Sequence, residues 1–168
     1  LGNDFVVIDA RTGDGAVSIR PQLAQALADR HRGVGFDQLA VIETGTSEDL
    51  SLVFWNADGS QSAACGNATR CIAAWEMARR GVDRLSIRTR DRVLAACDAG
   101  DGLTSVNMGQ PETDWRAIPL AKEADTLHLP IAGDPVATGM GNPHCTFFVD
   151  DVETVDLAVR GAEMENHP

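Results

Sequence analysis

Residues 56–71 read NADGSQSAACGNATRC, and this stretch decides how the rest of the chain is interpreted. It places a turn, Asn56 to Gly59, before a run of small residues that ends at Cys65. From Gly66 to Arg80 the residue pattern predicts a helix that is closed by Gly81 and is apolar around much of its circumference. Such a helix must be enclosed by other elements, so we expect the core to be built around it.

The cysteine directly before this helix is the strongest candidate for a catalytic group. At Cys65, unpaired backbone N–H groups converge with the positive end of the helix dipole, and this favours a thiolate that acts as base or nucleophile. The same N–H groups are able to hold a substrate carboxylate. On position alone, a small buried hydrophobe is an equally good interpretation of Cys65. Cys71 lies inside the helix and is interpreted as core packing.

Strands are predicted on both sides of the helix, which makes the chain an α/β (α+β) protein. Upstream, apolar runs predict strands at Phe5 to Ala10, Gln38 to Glu43 and Leu50 to Asn56, and a helix from Pro21 that stops at Gly33. Three short strands then predict an antiparallel meander, at Leu85 to Thr89, Val93 to Cys97 and Leu103 to Met108. Later elements are predicted as strands at Thr126 to Leu129, Pro135 to Thr138 and Thr146 to Val149, and as a helix at Val155 to Glu163.

A polar, weakly periodic stretch from Glu112 to Asp125 predicts a boundary between two lobes. The first lobe, residues 1–111, carries the Cys65 helix, and residues 112–168 form the first part of a second, truncated lobe. A weak internal sequence repeat indicates that the two lobes have the same architecture, because Gly-Asn precedes an apolar strand both at Asn3 and at Asn142. A twin of Cys65 would then lie beyond the end of this chain, and a first residue other than Met agrees with a fragment.

Composition excludes several classes of function. The 168 residues carry a net charge of −11, which disfavours nucleic acid as a partner. Lys122 is the one lysine and stands in an unpromising stretch, so pyridoxal phosphate is not expected. No apolar run is long enough for a membrane span, and neither a zinc motif nor a nucleotide-binding motif is present. We expect a cytoplasmic protein with four free thiols, no metal and no cofactor.

Neutral amides are the other candidate site residues. They flank glycines and strand ends, and as a set they suit a small zwitterionic ligand, although each alone is equally a turn former or a helix cap. The set comprises Asn3, Gln38, Asn56, Asn67 and Asn142, with the imidazole of His144 beside the last of them.

With these residues laid out, the chain resembles the diaminopimelate epimerase family of cofactor-independent amino-acid epimerases and racemases. Six motifs in the family's order carry the resemblance, and together they are far more specific than any one alone. They are Gly2-Asn3-Asp4-Phe5, Arg32-Gly33-Val34-Gly35-Phe36-Asp37-Gln38, Asn56-Ala57-Asp58-Gly59-Ser60, Ala64-Cys65-Gly66-Asn67, Val106-Asn107-Met108-Gly109 and Gly141-Asn142-Pro143-His144-Cys145.

The resemblance implies two pseudo-symmetric lobes, each a curled, antiparallel-rich sheet around a central helix, with the site in the cleft between them. It implies that Cys65 is one of two catalytic thiols and that His144 lies close to the chemistry. Gly66 and Asn67 would hold the reacting carboxylate, while the remaining amides, Asn3, Gln38, Asn56 and Asn142, line the pocket. The implied reaction is a two-base exchange of the α-proton of diaminopimelate, in which one thiolate removes a proton and a second thiol returns one to the opposite face.

The sequence departs from the family pattern at two points, and it leaves three alternative functions open. Ala68-Thr69 replaces the glycine and small residue that the family often has, and the second thiol, a Glu-Arg pair and a further asparagine are expected after residue 168. The fragment alone is therefore expected to bind weakly and not to turn over. The alternatives are another racemase of the same fold, a thiol hydrolase using Cys65 and His144, and a non-catalytic binding fragment. A homodimer is one assembly that the sequence leaves open.

Overall fold

A computed structural model describes residues 2–12, 18–165 and 167 and divides the chain into two compact units. The first unit comprises residues 1–108 and the second residues 109–168. The break between the units falls at Met108 and Gly109, just before the expected boundary at residue 112. That the second unit is the start of a longer lobe stays a prediction.

The first unit is built on one curled, mixed sheet of seven strands. Its strands are β1 (Phe5–Asp9), β2 (Gln38–Glu43), β3 (Leu50–Asn56), β4 (Gln61–Ser62), β5 (Arg84–Arg88), β6 (Val93–Gly100) and β7 (Leu103–Asn107). The order is β1-β2-β3-β5-β6-β7, and β4 pairs with β3. The pairs β1 with β2 and β3 with β5 are parallel, and the others are antiparallel. The predicted meander is therefore confirmed as β5-β6-β7.

Two helices cover this sheet, and each has its own apolar core. Helix α2 (Gly66–Arg80) packs against Ala40, Ile42, Leu52, Phe54, Leu85, Ile87, Leu94 and Ala96. Helix α1 (Pro21–Ala28) packs with Leu39, Val41, Trp55 and Phe36. Residues 39–42 of β2 alternate between the two cores, so all four are buried, which explains why this strand is a continuous apolar run in the sequence.

Helix α2 begins and ends where the sequence predicts. Cys65 is its N-cap, and Gly81 closes it in the left-handed conformation at φ 68°, with the Gly81 N–H bonded to the carbonyl of Met77. The expectation of full enclosure is wrong for one stripe of the helix. Trp75 is 48% exposed and Cys71 is exposed, so Cys71 does not pack in the core. The sheet covers one face of α2, and these two side chains lie outside that buried face, in a hollow that Val7 and Asp9 of β1 also line.

Helix α1 is shorter than predicted because a turn, rather than Gly33, ends it. Past Ala28, the carboxylate of Asp29 accepts hydrogen bonds from the backbone N–H groups of His31 and Arg32, at 2.8 and 3.0 Å. The chain then folds back, and the N–H of Gly35 bonds to the carbonyl of Leu27. An aspartate side chain that satisfies backbone groups in this way competes with helix continuation.

A buried carboxylate ties the C-terminal half of α2 to the sheet. The Glu76 side chain is fully buried and accepts hydrogen bonds from Arg11, Arg79 and Arg80, at 2.8, 2.8 and 2.5 Å. Arg11 follows β1 and also binds Asp9, while Arg80 also binds Asp49 ahead of β3. The three guanidinium groups, Arg11 first, hold the pKa of Glu76 far below its usual range.

The second unit is small and corrects two sequence expectations. It contains β8 (Val136–Gly139), β9 (Pro143–Thr146), a short 3-10 helix (Val152–Thr154) and α3 (Leu157–Glu165), around a core of Ile118, Leu129 and Ala137. Residues 126–129 form a turn, not a strand, so His128 lies in a turn, where it pairs with Asp134. The last strand ends at Thr146 rather than starting there, because the hairpin turn at residues 140–142 makes Pro143–Thr146 the segment that pairs with β8. In the described ranges, none of the helices has the length and apolar character needed to cross a bilayer.

Replacing Glu76 by Gln is expected to lower the free energy of unfolding by about 3 kcal/mol, because a buried ion cluster loses its central charge. The measurement is urea denaturation followed by circular dichroism. The control is Asp91→Asn, since Asp91 pairs with Arg90 on the surface, where both side chains are about half exposed. A surface pair of this kind contributes at most about 1 kcal/mol. Equal losses in the two variants would contradict the role of Glu76.

The effect of Glu76 also depends on pH, with a sign that follows from its lowered pKa. An unfolded glutamate titrates near pH 4.3, so the ionised Glu76 contributes its stability above about that pH and loses it as the pH falls toward the folded pKa. The difference in the free energy of unfolding between the wild-type protein and Glu76→Gln is therefore expected to narrow as the pH falls from about 5 to about 3. A gap that widens on acidification would contradict this assignment.

Candidate functional site

The sulfur of Cys65 lies at the N-terminus of α2, as the sequence predicts. Cys65 has extended backbone angles, φ −142° and ψ 98°, and its Sγ accepts a hydrogen bond from the N–H of Ala68 at 3.4 Å. The buried Thr69 holds the Cys65 carbonyl through its backbone N–H at 2.9 Å and its hydroxyl at 2.7 Å. The thiol is thus an N-cap in a fixed place, not a loose surface group.

Burial and the N-terminus of the helix shift the pKa of Cys65 in opposite directions. It raises the pKa of the thiol, while the N–H groups of Ala68 and Asn67 and the charge of Arg70 act in the opposite direction. The net direction is upward, although the N–H groups act in the direction that the sequence predicts. The desolvation of a half-buried sulfur outweighs two N–H groups and one nearby cation.

The first residue of the helix, Gly66, has room for a Cβ atom in ordinary van der Waals contact. At Gly66, the nearest atoms to the place where a Cβ would stand are Arg70 Nη1 and the Met108 sulfur, both at 3.9 Å. Gly66 is only partly buried, so the first residue of the helix is not fully covered by the rest of the protein. This agrees with the role that the family resemblance implies for Gly66, although that role itself stays a prediction.

Two of the candidate amides, Asn67 and Asn3, meet beside the helix end. The Asn67 Nδ2 group donates to Asn3 Oδ1 at 2.7 Å, and Asn67 Oδ1 accepts from the guanidinium of Arg70. Asn3 in turn donates through Nδ2 to Asp37 Oδ2 at 3.2 Å. The structure thus brings Asn3 to the N-terminus of α2, although the two residues are far apart in the sequence.

A second amide pair lies across two neighbouring strands. Gln38 and Asn56 are directly opposite in the β2–β3 ladder, and Gln38 Nε2 donates to Asn56 Oδ1 at 2.9 Å. Asn56 Nδ2 donates to the Ser60 hydroxyl at 3.0 Å, and that hydroxyl donates to Asp58 Oδ1 at 2.6 Å. The turn at residues 56–60 therefore orients the two predicted lining amides as well as starting β4.

The remaining candidates lie in the second unit, on the hairpin of β8 and β9. Gly141 has φ 99°, and the carbonyl of Asn142 accepts from the N–H of Met140 at 3.0 Å and lies 3.1 Å from His144 Nδ1. Because a carbonyl is only an acceptor, Nδ1 carries the hydrogen, which leaves Nε2 of the exposed His144 for other partners. That Asn142 and His144 share a site with Cys65 stays a prediction.

Several side chains that orient these amides were missed from the sequence, namely Arg70, Asp37, Asp58 and Ser60. For Arg70 a signal exists, because it stands three residues after Asn67 in a predicted helix, a spacing that places two side chains on one face. No comparable signal links Asp37 to Asn3. Among residues 2–12, 18–165 and 167, no group of three His, Cys, Asp or Glu side chains is placed to hold a metal ion.

Comparison with known proteins gives consistent matches. The family model described as diaminopimelate epimerase matches residues 1–113. A diaminopimelate epimerase of Acidiphilium cryptum is 47% identical over 98% of this chain and 60% of its own length, and one of Rhodospirillum centenum is 44% identical over 99% and 59%. The chain thus spans about three fifths of the length of these curated relatives.

Among solved structures, a protein of Pseudomonas aeruginosa described as a predicted epimerase matches with a TM-score of 0.57. The identity is 16%, and the match covers 98% of this chain and 61% of that one. At this identity the match supports the fold alone. The expected α+β fold with a curled sheet is confirmed in the first unit.

The raised pKa of Cys65 predicts slow alkylation at neutral pH. In a protein whose Cys71, Cys97 and Cys145 are replaced by Ser, the rate of reaction with iodoacetamide is expected to rise with a midpoint above about 8.5, the value of an ordinary thiol. The measurement is the rate of mass increase as a function of pH. A midpoint below about 7 would show that the helix end prevails over burial.

Proposed function

The chain belongs to the diaminopimelate epimerase family, and from this premise we propose that the complete protein interconverts LL- and meso-diaminopimelate. The reaction exchanges the α-proton between two cysteines and requires no cofactor. The protein would be an isomerase of lysine and peptidoglycan precursor biosynthesis that acts in the cytoplasm.

The observation that carries this proposal is the position of the Cys65 sulfur at the N-terminus of α2. Backbone N–H groups that meet at this end are able to hold the α-carboxylate of an amino acid, and Gly66, the first residue of the helix, is only partly buried. A carboxylate held there brings the α-carbon close to the sulfur. The same N–H groups and helix dipole stabilise the negative charge that builds up on the carboxylate when the α-proton leaves.

The protonation state of Cys65 fits a pair of thiols in which one is charged and the other is not. Because burial raises its pKa, Cys65 rests as a thiol and is ready to return a proton to the α-carbon. The thiolate that removes the proton from the opposite face is then the second cysteine, which we place after residue 168. In the reverse direction the two cysteines exchange roles.

Acid–base catalysis by two thiols is not sufficient for so weak a carbon acid. General acid–base catalysis contributes about 10²- to 10⁴-fold, so positioning and exclusion of water must supply much of the rest. We assign positioning to the amides of Asn3, Gln38, Asn56, Asn67 and Asn142. His144 would lie near the reacting carbon, and a Glu-Arg pair after residue 168 would bind the far end of the substrate.

The direct test is α-proton exchange of LL-diaminopimelate in deuterated buffer by the complete protein, followed by NMR. Deuterium is expected to appear at the α-carbon with the wild-type protein. Cys65→Ser is expected to reduce the rate by at least about 10²-fold, because a serine hydroxyl is a far weaker acid than a thiol. The matched control is Cys71→Ser, on the same helix but with an exposed side chain, which is expected to leave exchange unchanged.

Other outcomes would favour the alternative functions. Exchange with proline but not with diaminopimelate would indicate another racemase of the same fold. A burst of acyl-enzyme in place of exchange would indicate a thiol hydrolase that uses Cys65 and His144. If folded, reduced, complete protein bound diaminopimelate without exchange, the proposal would be wrong and a binding function would replace it.

A further inference from the structure

We propose that Arg70 is a positioning residue that fixes which way the side-chain amides of Asn67 and Asn3 are turned, so that both present N–H groups to the substrate. The role in substrate binding rests on the proposed function, whereas the orientation of the amides does not. Arg70 belongs to none of the sets of residues that the sequence identified.

The hydrogen-bond chain through Asn67 and Asn3 has a donor, Arg70, at one end and an acceptor, Asp37, at the other. A guanidinium carries only donors, so the atom of Asn67 that faces Arg70 must be Oδ1. The Nδ2 group of Asn67 then faces Asn3 Oδ1, 2.7 Å away. A carboxylate is only an acceptor, so Asn3 must offer Nδ2 to Asp37, and this donor lies 3.2 Å from Asp37 Oδ2.

Both ends of this hydrogen-bond chain, Arg70 and Asp37, therefore require the same orientation of the two amides. An amide between neutral partners is able to turn over at little cost, since its oxygen and nitrogen occupy equivalent positions. Here a turn of either Asn67 or Asn3 would place two donors or two acceptors face to face. The orientation is consequently set by the charged residues at the ends and not by the amides themselves.

Asp37, the acceptor at the end of the hydrogen-bond chain, is itself held in place by ion pairs. Arg30 binds Asp37 Oδ1 at 2.8 Å and both carboxylate oxygens of Asp4, at 2.7 and 2.9 Å. The backbone N–H of Asp4 also donates to Asp37 Oδ2 at 3.2 Å. Arg30 lowers the pKa of Asp4 to about 2, so this carboxylate stays ionised at neutral pH. The cluster keeps Asp37 facing Asn3.

As a consequence, the side-chain amides of Asn67 and Asn3 both offer N–H donors to a ligand. The oxygens of Asn67 and Asn3 are engaged by Arg70 and by Asn67, and each Nδ2 group uses one of its two hydrogens within the chain. In the described part of the structure no further acceptor binds either Nδ2 group. The second hydrogens remain for a ligand, and a donor pair of this kind selects a carboxylate over an ammonium group.

The Gln38–Asn56 pair provides an internal comparison, because its polarity is set without Arg70. Its chain ends at Asp58, an acceptor, which receives the Ser60 hydroxyl hydrogen. Asn56 must then donate to Ser60, and Gln38 must donate to Asn56. Substitution of Arg70 should leave this pair unaffected.

The test compares three substitutions of Arg70 that differ in polarity, in the complete protein labelled with ¹⁵N. Arg70→Lys keeps a donor, Arg70→Met removes it, and Arg70→Glu puts an acceptor in its place. The first measurement is the NMR signals of the side-chain amides of Asn67 and Asn3, with those of Gln38 and Asn56 as the folding control. The second is kcat and KM for diaminopimelate, with Arg84→Met as a matched control, since Arg84 is an exposed arginine on β5.

We expect Arg70→Glu to shift the amide signals of Asn67 and Asn3 and to leave those of Gln38 and Asn56 in place. The value of kcat/KM should fall about 10²-fold, the cost of a misplaced substrate. Arg70→Met should show a smaller shift and a smaller loss. Arg70→Lys should restore the wild-type amide signals and most of the activity.

Two results would overturn the proposal. One is unmoved Asn67 and Asn3 signals in Arg70→Glu, with or without a loss of activity. The other is a loss in Arg70→Lys as large as in Arg70→Glu, which would point to the arginine shape rather than its polarity. Failure of the proposed function looks different, because the wild-type protein would then not epimerise while the amide signals of Arg70→Glu still moved.

Discussion

The packing of one face of α2 against the sheet is the constraint on which the rest of the first unit depends. Four side chains of the helix, Ala68, Ile72, Ala73 and Met77, are buried against the inner strands. At its C-terminal half, Glu76 holds the helix to Arg11 at the end of β1. Because an α-helix is stiff over four turns, these contacts also determine where its N-terminus lies. The place of Cys65 therefore follows from burial along the helix.

The chemistry at that N-terminus is a balance between desolvation and hydrogen bonding. The core that positions Cys65 also removes water from its sulfur, which raises the pKa of the thiol. The N–H groups of the first turn and the charge of Arg70 oppose this effect but do not cancel it. A thiol that stays protonated at rest and stands next to a carboxylate-binding helix end is consistent with proton transfer by a pair of cysteines. It fits less well with a nucleophile that must be charged before substrate binds.

Sequence patterns predicted the helices and strands that have strong periodicity. The predictions were wrong where a side-chain hydrogen bond or strand pairing determined the secondary structure. Strands β2 and β3 and helix α2 have the predicted bounds because each combines a buried apolar run with a clear stop signal. Helix α1 ended early because Asp29 bonded the following backbone. Residues 126–129 have the composition of a strand but share only two backbone hydrogen bonds with the neighbouring segment, from the N–H of Leu129 to the carbonyl of Pro135 and from the N–H of Ala137 to the carbonyl of Thr126, so they form no ladder. Cys71 lies outside the core because the sheet covers only one side of α2.

The bounds of α2, the position of Cys65 as the N-cap of α2 and the candidate amides could be predicted from the sequence, because caps, turns and apolar spacing depend on neighbouring residues. The contacts of Asn3 with Asn67, of Gln38 with Asn56 and of Glu76 with three arginines could not be predicted in this way. These contacts join distant segments, and their register and polarity depend on how the sheet and helix pack. The upward shift of the Cys65 pKa also depends on the tertiary structure, since the extent of burial is a property of the folded protein and not of any local stretch of chain.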